Sequence, residues 1–396
     1  MFTEQEIAIL TKRAAEAKTG IRSSIRKCAH FPFPYLPAGA TYNGIWLEHN
    51  QDNLFITDLF PEAAWGSMEV FMHYQREDGL MPAAVKGRNM EMTGFGQLQT
   101  VYPFARCAME IARKVKRPEQ DFLRIYESAK KYDAWIEHYR VHNDSGLVEM
   151  FCEFDTGHDQ SPRATEGICP GHCPGNEAKN MPDLPEMPVI AADLSATRFG
   201  ALTALAELAG MLDKAAESAE WRSKAEKLRE GIFKYLYCAE DEYFYDCGMF
   251  GFRKYRSEHI TRLFLNRVVD QTLFDRIYHR YFESDQEFFT AFPFPSMSVS
   301  DPNFCKDHPF NCWGANTQML TLLRLLLFMD HYHRSEELEI VLERFLHAML
   351  LHPENHFSQE INPFSGAPIG VSAGYLPAMI LFREACRRLL PVSILQ

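Results

Sequence analysis

The predicted helices of this chain alternate between two kinds, one apolar nearly all round and one charged on most of its turns. Residues 199–211 carry large apolar side chains at helical spacing with alanines between them, which is typical of an inner, closely packed helix. Residues 215–237 carry charges on most turns, as expected for an outer helix with one wet face. The same contrast returns between 318–329 and 335–351. An open array of such helices would leave an apolar edge, so the alternation predicts an all-α ring of helical hairpins, an (α/α) toroid.

One domain is expected over residues 1–396, because no Ser/Gly-rich linker or low-complexity run divides the chain. Residues 1–40 are expected to form an N-terminal helix and a lead-in segment that pack on this domain. Caps and helix breakers predict further helices at 61–75, 94–114, 118–139, 265–282 and 372–390.

The composition excludes some classes of partner. The formal net charge of −12 argues against nucleic acid and anionic membranes, because both require a basic face. Residues 1–20 have the pattern of an amphipathic helix and lack the apolar core of a signal peptide. The richest apolar run, 319–329, is interrupted by Thr321 and Arg324 and is too short to span a bilayer. We therefore expect a soluble, cytoplasmic protein with a small, uncharged substrate.

Ten cysteines are scattered mostly singly along the chain, as in a reduced cytosolic protein. One cluster, CPGHCPG at 169–175, offers Cys169, His172 and Cys173 as metal ligands. No second Cys/His pair stands at zinc-finger distance, and the prolines favour a turn. We therefore expect neither a metal site nor another cofactor.

A compact group of charged residues lies in EFDTGHDQSPR, residues 153–163. Its Ser-Pro pair does not fit a helix interior, so the segment is predicted to be a functional loop. Mutual repulsion among Glu153, Asp155 and Asp159 should raise the pKa of at least one carboxyl group. A carboxyl group that keeps its proton near neutrality can act as a general acid. A solvated acidic turn that caps the next helix is the alternative.

Two connections are much longer than ordinary links between paired helices, at 140–192 and 352–371. The first contains residues 153–163, and the second contains Glu354 and Glu360. If both open on the same rim of the ring, an acid from each meets over the central cavity, as two-carboxylate glycoside hydrolysis requires. The alternative is that the second connection is an ordinary link between helices, which its Gly and Pro content also fits.

Several motifs resemble those of a known family. QREDGLMP (75–82) is similar to its "Q..DG.iP" turn, DTGHDQSPR (155–163) to its "(D/E)SGmDNSPR" motif, and INPFSGAPIGVSAGYLPAMI (361–380) to its "ynP.TGe..G...fsWsa....mi" segment. Over about residues 40–390 the chain thereby resembles glycoside hydrolases of the family 63 type. That family contains processing α-glucosidase and mannosylglycerate hydrolase and is related to trehalases. The resemblance implies an (α/α)6 barrel of six helical hairpins with its long catalytic loops on one rim.

The resemblance also implies an inverting glycoside hydrolase that cleaves a small α-linked glucoside or mannoside with a general acid and a general base. Asp159 matches the acid of the family motif. The family base stands three residues before the Asn of the "NP.(T/S)G" turn, where this chain has Gln359, while Glu360 follows one residue later. Glu360 is the predicted base if the motif is shifted by one residue; otherwise the base lies elsewhere, or the protein is not an ordinary hydrolase. The family's "YWRGP.W" motif is reduced here to FNCWGANT, 310–317, which keeps Trp313 and lacks the arginine.

Further residues are predicted to contact the sugar, because aromatic faces cover sugar rings and polar side chains hydrogen-bond to hydroxyl groups. The predicted substrate-binding residues are Trp46, Asp52, Asp58, Gln97, Asp155, His158, Arg163, Trp313 and Gln359. Core packing and helix capping are competing explanations for residues of this kind beside helix starts.

Two other functions stay open. A sugar epimerase or isomerase on a similar toroid would use paired histidines as proton carriers, and the loop histidines are His49, His158, His308 and His356. A non-catalytic carbohydrate-binding relative would account for the altered base motif. A small carbohydrate is the expected partner in each case.

Overall fold

The structure is a computed structural model, and it describes residues 2–39, 42–165, 170–370 and 374–391. It is helix-rich, in agreement with the sequence pattern. The α-helices are α1 (Glu4–Ser24), α2 (Pro61–His73), α3 (Phe104–Lys114), α4 (Glu119–Tyr139), α5 (Pro162–Thr165), α6 (Ala192–Met211), α7 (Ala215–Leu236), α8 (Ile260–Leu265), α9 (Gln271–Ile277), α10 (Met319–Leu325), α11 (Ser335–Leu351) and α12 (Leu376–Leu389). The 3-10 helices are Leu47–Phe55, Glu153–Asp155 and Pro174–Asn176, and a π-helical turn, Tyr278–Phe282, follows α9.

The strands are short and belong to small sheets. They are β1 (Arg26–Cys28), β2 (Phe31–Tyr35), β3 (Gly44–Trp46), β4 (Ala84–Lys86), β5 (Met92–Gly94), β6 (Glu149–Met150), β7 (Val189–Ile190), β8 (Tyr237–Cys238), β9 (Tyr243–Phe244), β10 (Asp246–Gly248), β11 (Gly251–Arg253), β12 (Thr317–Gln318) and β13 (Glu360–Ile361). The largest sheet has the order β11-β10-β7-β6, and a second has the order β3-β4-β5. β12 pairs antiparallel with β13, so that Gln318 lies opposite Glu360.

A set of largely buried helices contact one another in chain order. The 3-10 helix Leu47–Phe55 contacts α3, α3 contacts α6, and α6 contacts α8. α8 then contacts α10, α10 contacts α12, and α12 contacts the 3-10 helix again. This series of contacts therefore returns to its starting point. The N-terminal helix α1 packs mainly against α12.

Helices α6 and α7 show the two kinds of burial that the sequence pattern predicts. α6 is buried on nearly every turn, including its polar Ser195 and Thr197. Gly200 lets it approach the chain that follows α8, since a Cβ atom there would lie 2.1 Å from the Asn266 side-chain oxygen. α7 buries a single stripe that includes Leu228 and Ile232 and exposes most of its charges. An apolar stripe on a charged helix is what an outer helix needs.

The helix predicted at 94–114 begins only at Phe104. Residues before it are bound by Asp155 instead. Leu98 N donates to the Asp155 carboxylate at 2.7 Å, and Thr100 N donates to the Asp155 carbonyl oxygen at 3.3 Å. A contact with a residue so distant in sequence overrides the local helical pattern.

The helices predicted at 265–282 and 372–390 also have different bounds. Within the first range α8 ends at Leu265, and α9 begins after Asp270, whose carboxylate accepts a hydrogen bond from Leu273 N at 2.8 Å. The second corresponds to α12, and its predicted start at Ser372 lies outside the described residues.

No helix in the described ranges has the length and apolar character needed to cross a membrane. The cysteines of those ranges carry free thiols. Cys169, the first residue of the candidate metal cluster, lies outside the described residues.

Candidate active site

A small cavity of about 70 Å³, partly open to solvent, lies where the two long connections meet. Its walls come from the segment around β3, from the turn 157–159, from the segment 311–320 and from the chain before α12. The lining residues are Tyr42, Trp46, Glu48, His49, Gln99, Gly157, Asp159, Asn311, Trp313, Leu320, Gln359 and Tyr375. Among the predicted site residues, Trp46, Asp159, Trp313 and Gln359 are therefore brought together.

Asp159 reaches the cavity through a tight turn. Gly157 has φ +67°, and the chain then turns so that the Asp159 carbonyl oxygen accepts a hydrogen bond from Trp313 N at 2.9 Å. The Asp159 carboxyl group accepts a hydrogen bond from Asn311 Nδ2 at 2.7 Å. Burial and the nearby charge of Glu48 raise the pKa of Asp159 to about 8. Asp159 therefore keeps its proton at neutral pH, as a general acid must.

Glu48 is a second acid in the cavity, and the sequence analysis did not single it out. It stands in the first turn of the 3-10 helix Leu47–Phe55, directly after β3. Its Oε1 accepts a hydrogen bond from Gln99 Nε2 at 3.1 Å. Its Oε2 lies 1.9 Å from where a Cβ atom of residue 157 would be, so Gly157 is required there by space as well as by its backbone angle.

Glu360 and Gln359 occupy opposite sides of the chain at β13. Successive side chains of an extended strand point in opposite directions, so only one of the two can face the cavity. Gln359 lines the cavity, where it accepts a hydrogen bond from the Tyr42 hydroxyl group and donates one to Asn311 Oδ1 at 2.6 Å. Glu360 is fully buried beside Gln318, its cross-strand partner. The prediction that Glu360 points into the cavity is therefore wrong.

The Glu360 carboxylate instead supports the loop that carries Asn311. Its Oε1 accepts a hydrogen bond from Asn311 N, and its Oε2 accepts one from Gln318 Nε2, both at 2.5 Å. Burial raises the pKa of Glu360 to about 7, and these donors oppose that rise. Asn311 has φ +57°, and its side chain bridges Asp159 and Gln359. Glu360 thus holds the residue that hydrogen-bonds to the acid.

Aromatic rings form much of the remaining wall. The rings of Tyr42 and Trp46 meet edge to face with centroids 5.4 Å apart, and Tyr42 also lies 5.8 Å from the ring of Tyr375. Trp313 packs on the ring of His158 at 5.0 Å. Aromatic side chains around an acid favour a ligand that combines apolar ring faces with hydroxyl groups.

Two predicted substrate-binding residues of the loop 153–163 form buried ion pairs instead. The Asp155 carboxylate is fully buried and accepts hydrogen bonds from both terminal nitrogens of Arg140, at 2.6 and 3.0 Å. Arg163 is also buried and pairs with Asp193 and Asp246. These two predictions are wrong, because both side chains are buried away from water and each is paired with an opposite charge instead of facing a ligand.

His158 is buried directly behind Trp313 and does not line the cavity. Its Nε2 lies 2.5 Å from the Glu258 carboxylate, and Arg262 and Arg163 contact its ring nitrogens. Burial and the two arginines lower the pKa of His158 to about 3. The neutral ring supports Trp313 and cannot contact a sugar.

The other predicted contacts lie at varying distances from the cavity. Asp52 is buried and accepts from Nδ1 of His49, which lines the cavity. Gln97 is buried and donates to Gln99 Oε1 at 2.8 Å, so it stands behind a lining residue. Asp58 is on the surface, where it pairs with Arg383. A direct sugar contact by Asp58 is therefore excluded, whereas Asp52 and Gln97 support residues that line the cavity.

A possible metal cluster away from the cavity is formed by Cys152, Asp155 and Cys173, whose ligand atoms lie within 4.8 Å of one another. Arg140 already supplies the positive charge at this position, and its Nη2 lies 3.5 Å from the Cys173 sulfur. A cation would have to compete with that guanidinium group. The donor set therefore does not fit a metal.

Replacing Gly157 by Ala should lower both stability and activity. The left-handed backbone angle costs a residue with a Cβ atom about 1–2 kcal/mol, and the methyl group would displace the Glu48 carboxylate. Gly146→Ala is the matched control, because Gly146 has φ +76° and no neighbour within 4 Å of its Cβ position. Thermal unfolding and hydrolysis assays of both variants test this. Equal losses of activity in the two would contradict a contact with Glu48.

A protonated acid and a second carboxyl group that line one aromatic cavity suit a glycoside hydrolase, and comparison with known families agrees. Residues 56–376 match the model of the mannosylglycerate hydrolase MGH1-like glycoside hydrolase domain. The chain belongs to this family, and it is a glycoside hydrolase. A search of curated proteins finds no match.

Solved structures share the fold at low sequence identity. The GH63 mannosylglycerate hydrolase from Thermus thermophilus, in complex with glucose, has a TM-score of 0.73 and 17% identity, covering 94% of this chain and 99% of that chain. The same hydrolase in complex with Tris and D-glycerate has a TM-score of 0.71 and 16% identity, with the same coverage. Neutral trehalase Nth1 from Saccharomyces cerevisiae has a TM-score of 0.69 and 11% identity, covering 91% of this chain and 74% of that chain.

Proposed function

We propose that the protein is an inverting hydrolase of a small α-linked glucoside or mannoside, on an (α/α)6 toroid whose catalytic loops lie on one rim. The observation that carries the proposal is the Asp159 carboxyl group, which lines an aromatic cavity with its pKa raised to about 8. The closed series of helix contacts and the family match support the toroid. The complexes of the Thermus hydrolase with glucose and with D-glycerate support a small carbohydrate as the partner.

In this mechanism Asp159 donates its proton to the oxygen of the leaving group while a base takes a proton from the attacking water. Asn311 holds the Asp159 side chain through its 2.7 Å hydrogen bond. Trp46, Trp313 and Gln359 provide the aromatic faces and the amide that contact the sugar. Burial of the acid keeps its proton in place until the leaving oxygen develops negative charge.

The isomerase alternative has less support. Of its four candidate histidines, His49 lines the cavity. His158 is buried behind Trp313, His308 bonds to Asn316 through Nδ1, and His356 is exposed. These four described histidines therefore do not form a pair around one ligand. A non-catalytic carbohydrate-binding protein is the second alternative, because Gln359 occupies the family's base position.

A panel of α-glucosides and α-mannosides that includes mannosylglycerate tests the proposal, with proton NMR of the product. We expect cleavage in which the β-anomer of the free sugar is released first, since inversion places water on the opposite face. Initial release of the α-anomer would contradict inversion. Interconversion of sugars without cleavage would favour the isomerase, and binding without turnover the non-catalytic relative.

A further inference from the structure

The base of the reaction must be a group that can take a proton from water in the cavity. Gln359 stands at the family's base position, and an amide cannot act as a base at neutral pH. Both carboxylate oxygens of Glu360 are occupied by Asn311 N and Gln318 Nε2, and this residue is completely buried. Apart from Asp159, the acid that lines the cavity within the described part of the chain is Glu48.

The Glu48 carboxylate has one oxygen held and one available. Gln99 Nε2 donates to its Oε1, whereas no donor from the described residues reaches its Oε2. The Oε2 atom lies against Gly157, two residues before Asp159. The two acids are therefore neighbours in one cavity, and the charge of Glu48 is the strongest of the charges that favour the proton on Asp159.

Residues behind Glu48 fix its position. Arg324 is buried, and its Nη2 donates to the Glu48 carbonyl oxygen at 3.3 Å. His49 Nδ1 lies 3.0 Å from the buried Asp52 carboxylate, and its Nε2 lies 3.6 Å from Glu48 Oε1. When Nδ1–H donates to Asp52, Nε2 presents a lone pair towards Glu48. Arg324 and the pair of His49 with Asp52 thus fix the segment from which the Glu48 side chain extends.

We propose that Glu48 is the general base of this enzyme and acts through Oε2 on a water molecule in the cavity. The assignment rests on the proposed hydrolysis with inversion. Glu48 takes one proton from water as the water oxygen bonds to the anomeric carbon. The bond from that carbon to the leaving oxygen breaks, and Asp159 gives its proton to that oxygen. One carboxyl group gains a proton and the other loses one, so charge is conserved.

The first test compares Glu48→Gln, Glu360→Gln and Gln359→Ala on the best α-glycoside of the wild-type protein. Glu48→Gln should lower kcat about 10²–10⁴-fold, the range for loss of a general base, with KM little changed. Glu360→Gln can still accept from Asn311 N but no longer from Gln318 Nε2, so it should disturb Asn311 and lower kcat less than Glu48→Gln does. Gln359→Ala removes a sugar contact and should mainly raise KM.

Glu127→Gln, at an exposed position on α4, is the control for the amide substitution. If Glu48→Gln does not fold, Glu48→Asp should fold and show an intermediate kcat.

The second test is chemical rescue. With sodium azide and the α-glycosyl fluoride of the same sugar, Glu48→Ala should form the β-glycosyl azide at a rate that rises with azide concentration. Azide needs no base, and fluoride leaves without a proton. Rescue in Glu360→Ala but not in Glu48→Ala, or wild-type activity in Glu48→Gln, would overturn the assignment. A wild-type protein that hydrolyses no glycoside would instead overturn the proposed function, and with it the need for a base.

Discussion

Asp159→Asn is expected to lower kcat about 10³–10⁴-fold for an α-glycoside whose leaving group is an alcohol, because Asp159 is the protonated carboxyl group that the described residues place in the cavity. The asparagine still accepts from Asn311, so the geometry of the cavity is kept. Hydrolysis of the corresponding α-glycosyl fluoride should fall far less, since fluoride leaves without a proton. Steady-state kinetics with both substrates measure the difference.

The matched control is Asp144→Asn, at an exposed position with the same chemical change. Wild-type kcat should also fall as the pH rises above about 8, the pKa to which burial and Glu48 raise Asp159. Equal losses for the glycoside and the fluoride would contradict the role of Asp159 as the acid.

Asp159→Asn should also raise the thermal stability of the protein at pH values where the unfolded chain ionises Asp159. The folded protein keeps Asp159 protonated up to about pH 8, whereas the unfolded chain ionises it above about pH 4. The stability that this proton confers is complete below the lower pKa and is lost as the pH rises through the higher one. Asp159→Asn should therefore unfold at a higher temperature than the wild type at pH 8 and at a similar temperature near pH 4.

Asp155→Ala is expected to lower the free energy of unfolding by about 3–5 kcal/mol, the cost of leaving a buried charge without its partner. Arg140 would then be buried without the carboxylate that now accepts from both of its terminal nitrogens. Leu98 N, Phe151 N and Cys152 N would also lose their acceptor. Urea unfolding measures the loss.

Asp58→Ala is the control for Asp155→Ala, because Asp58 pairs with Arg383 at the surface. Surface ion pairs contribute about 0–1 kcal/mol, so this variant should unfold much like the wild type. A raised KM in Asp155→Ala with unchanged stability would instead support the substrate contact that the sequence predicts for Asp155.

The burial of some helices can be predicted from the sequence, because it depends on a local pattern of side chains. Helix α6 is apolar on nearly every turn and α7 has one apolar stripe, so their burial follows from the spacing of side chains. The loop around Asp159 was found by its composition, since several acids near one glycine do not fit a helix. Helix ends are harder to predict from the sequence. Helix α3, for example, begins later than predicted because Asp155 binds the chain before it.

The roles of charged residues depended on partners that are distant in sequence. Asp155 and Arg163 have the same chemistry as sugar-binding residues, and only their pairing with Arg140, Asp193 and Asp246 shows that they hold the loop together. Glu48 carried no local signal, because its place against Gly157 arises when the 3-10 helix after β3 meets the turn before Asp159.

The sequence by itself determined the helical class and the two long connections, because spacing and composition are properties of neighbouring residues, and its resemblance to a family motif singled out Asp159. The tertiary structure decided which acids face the cavity. Pairing of β12 with β13 turns Gln359 towards the cavity and Glu360 away from it. Since the side chains of a strand alternate, that choice depends on register against a partner strand, and no motif of the second loop contains it.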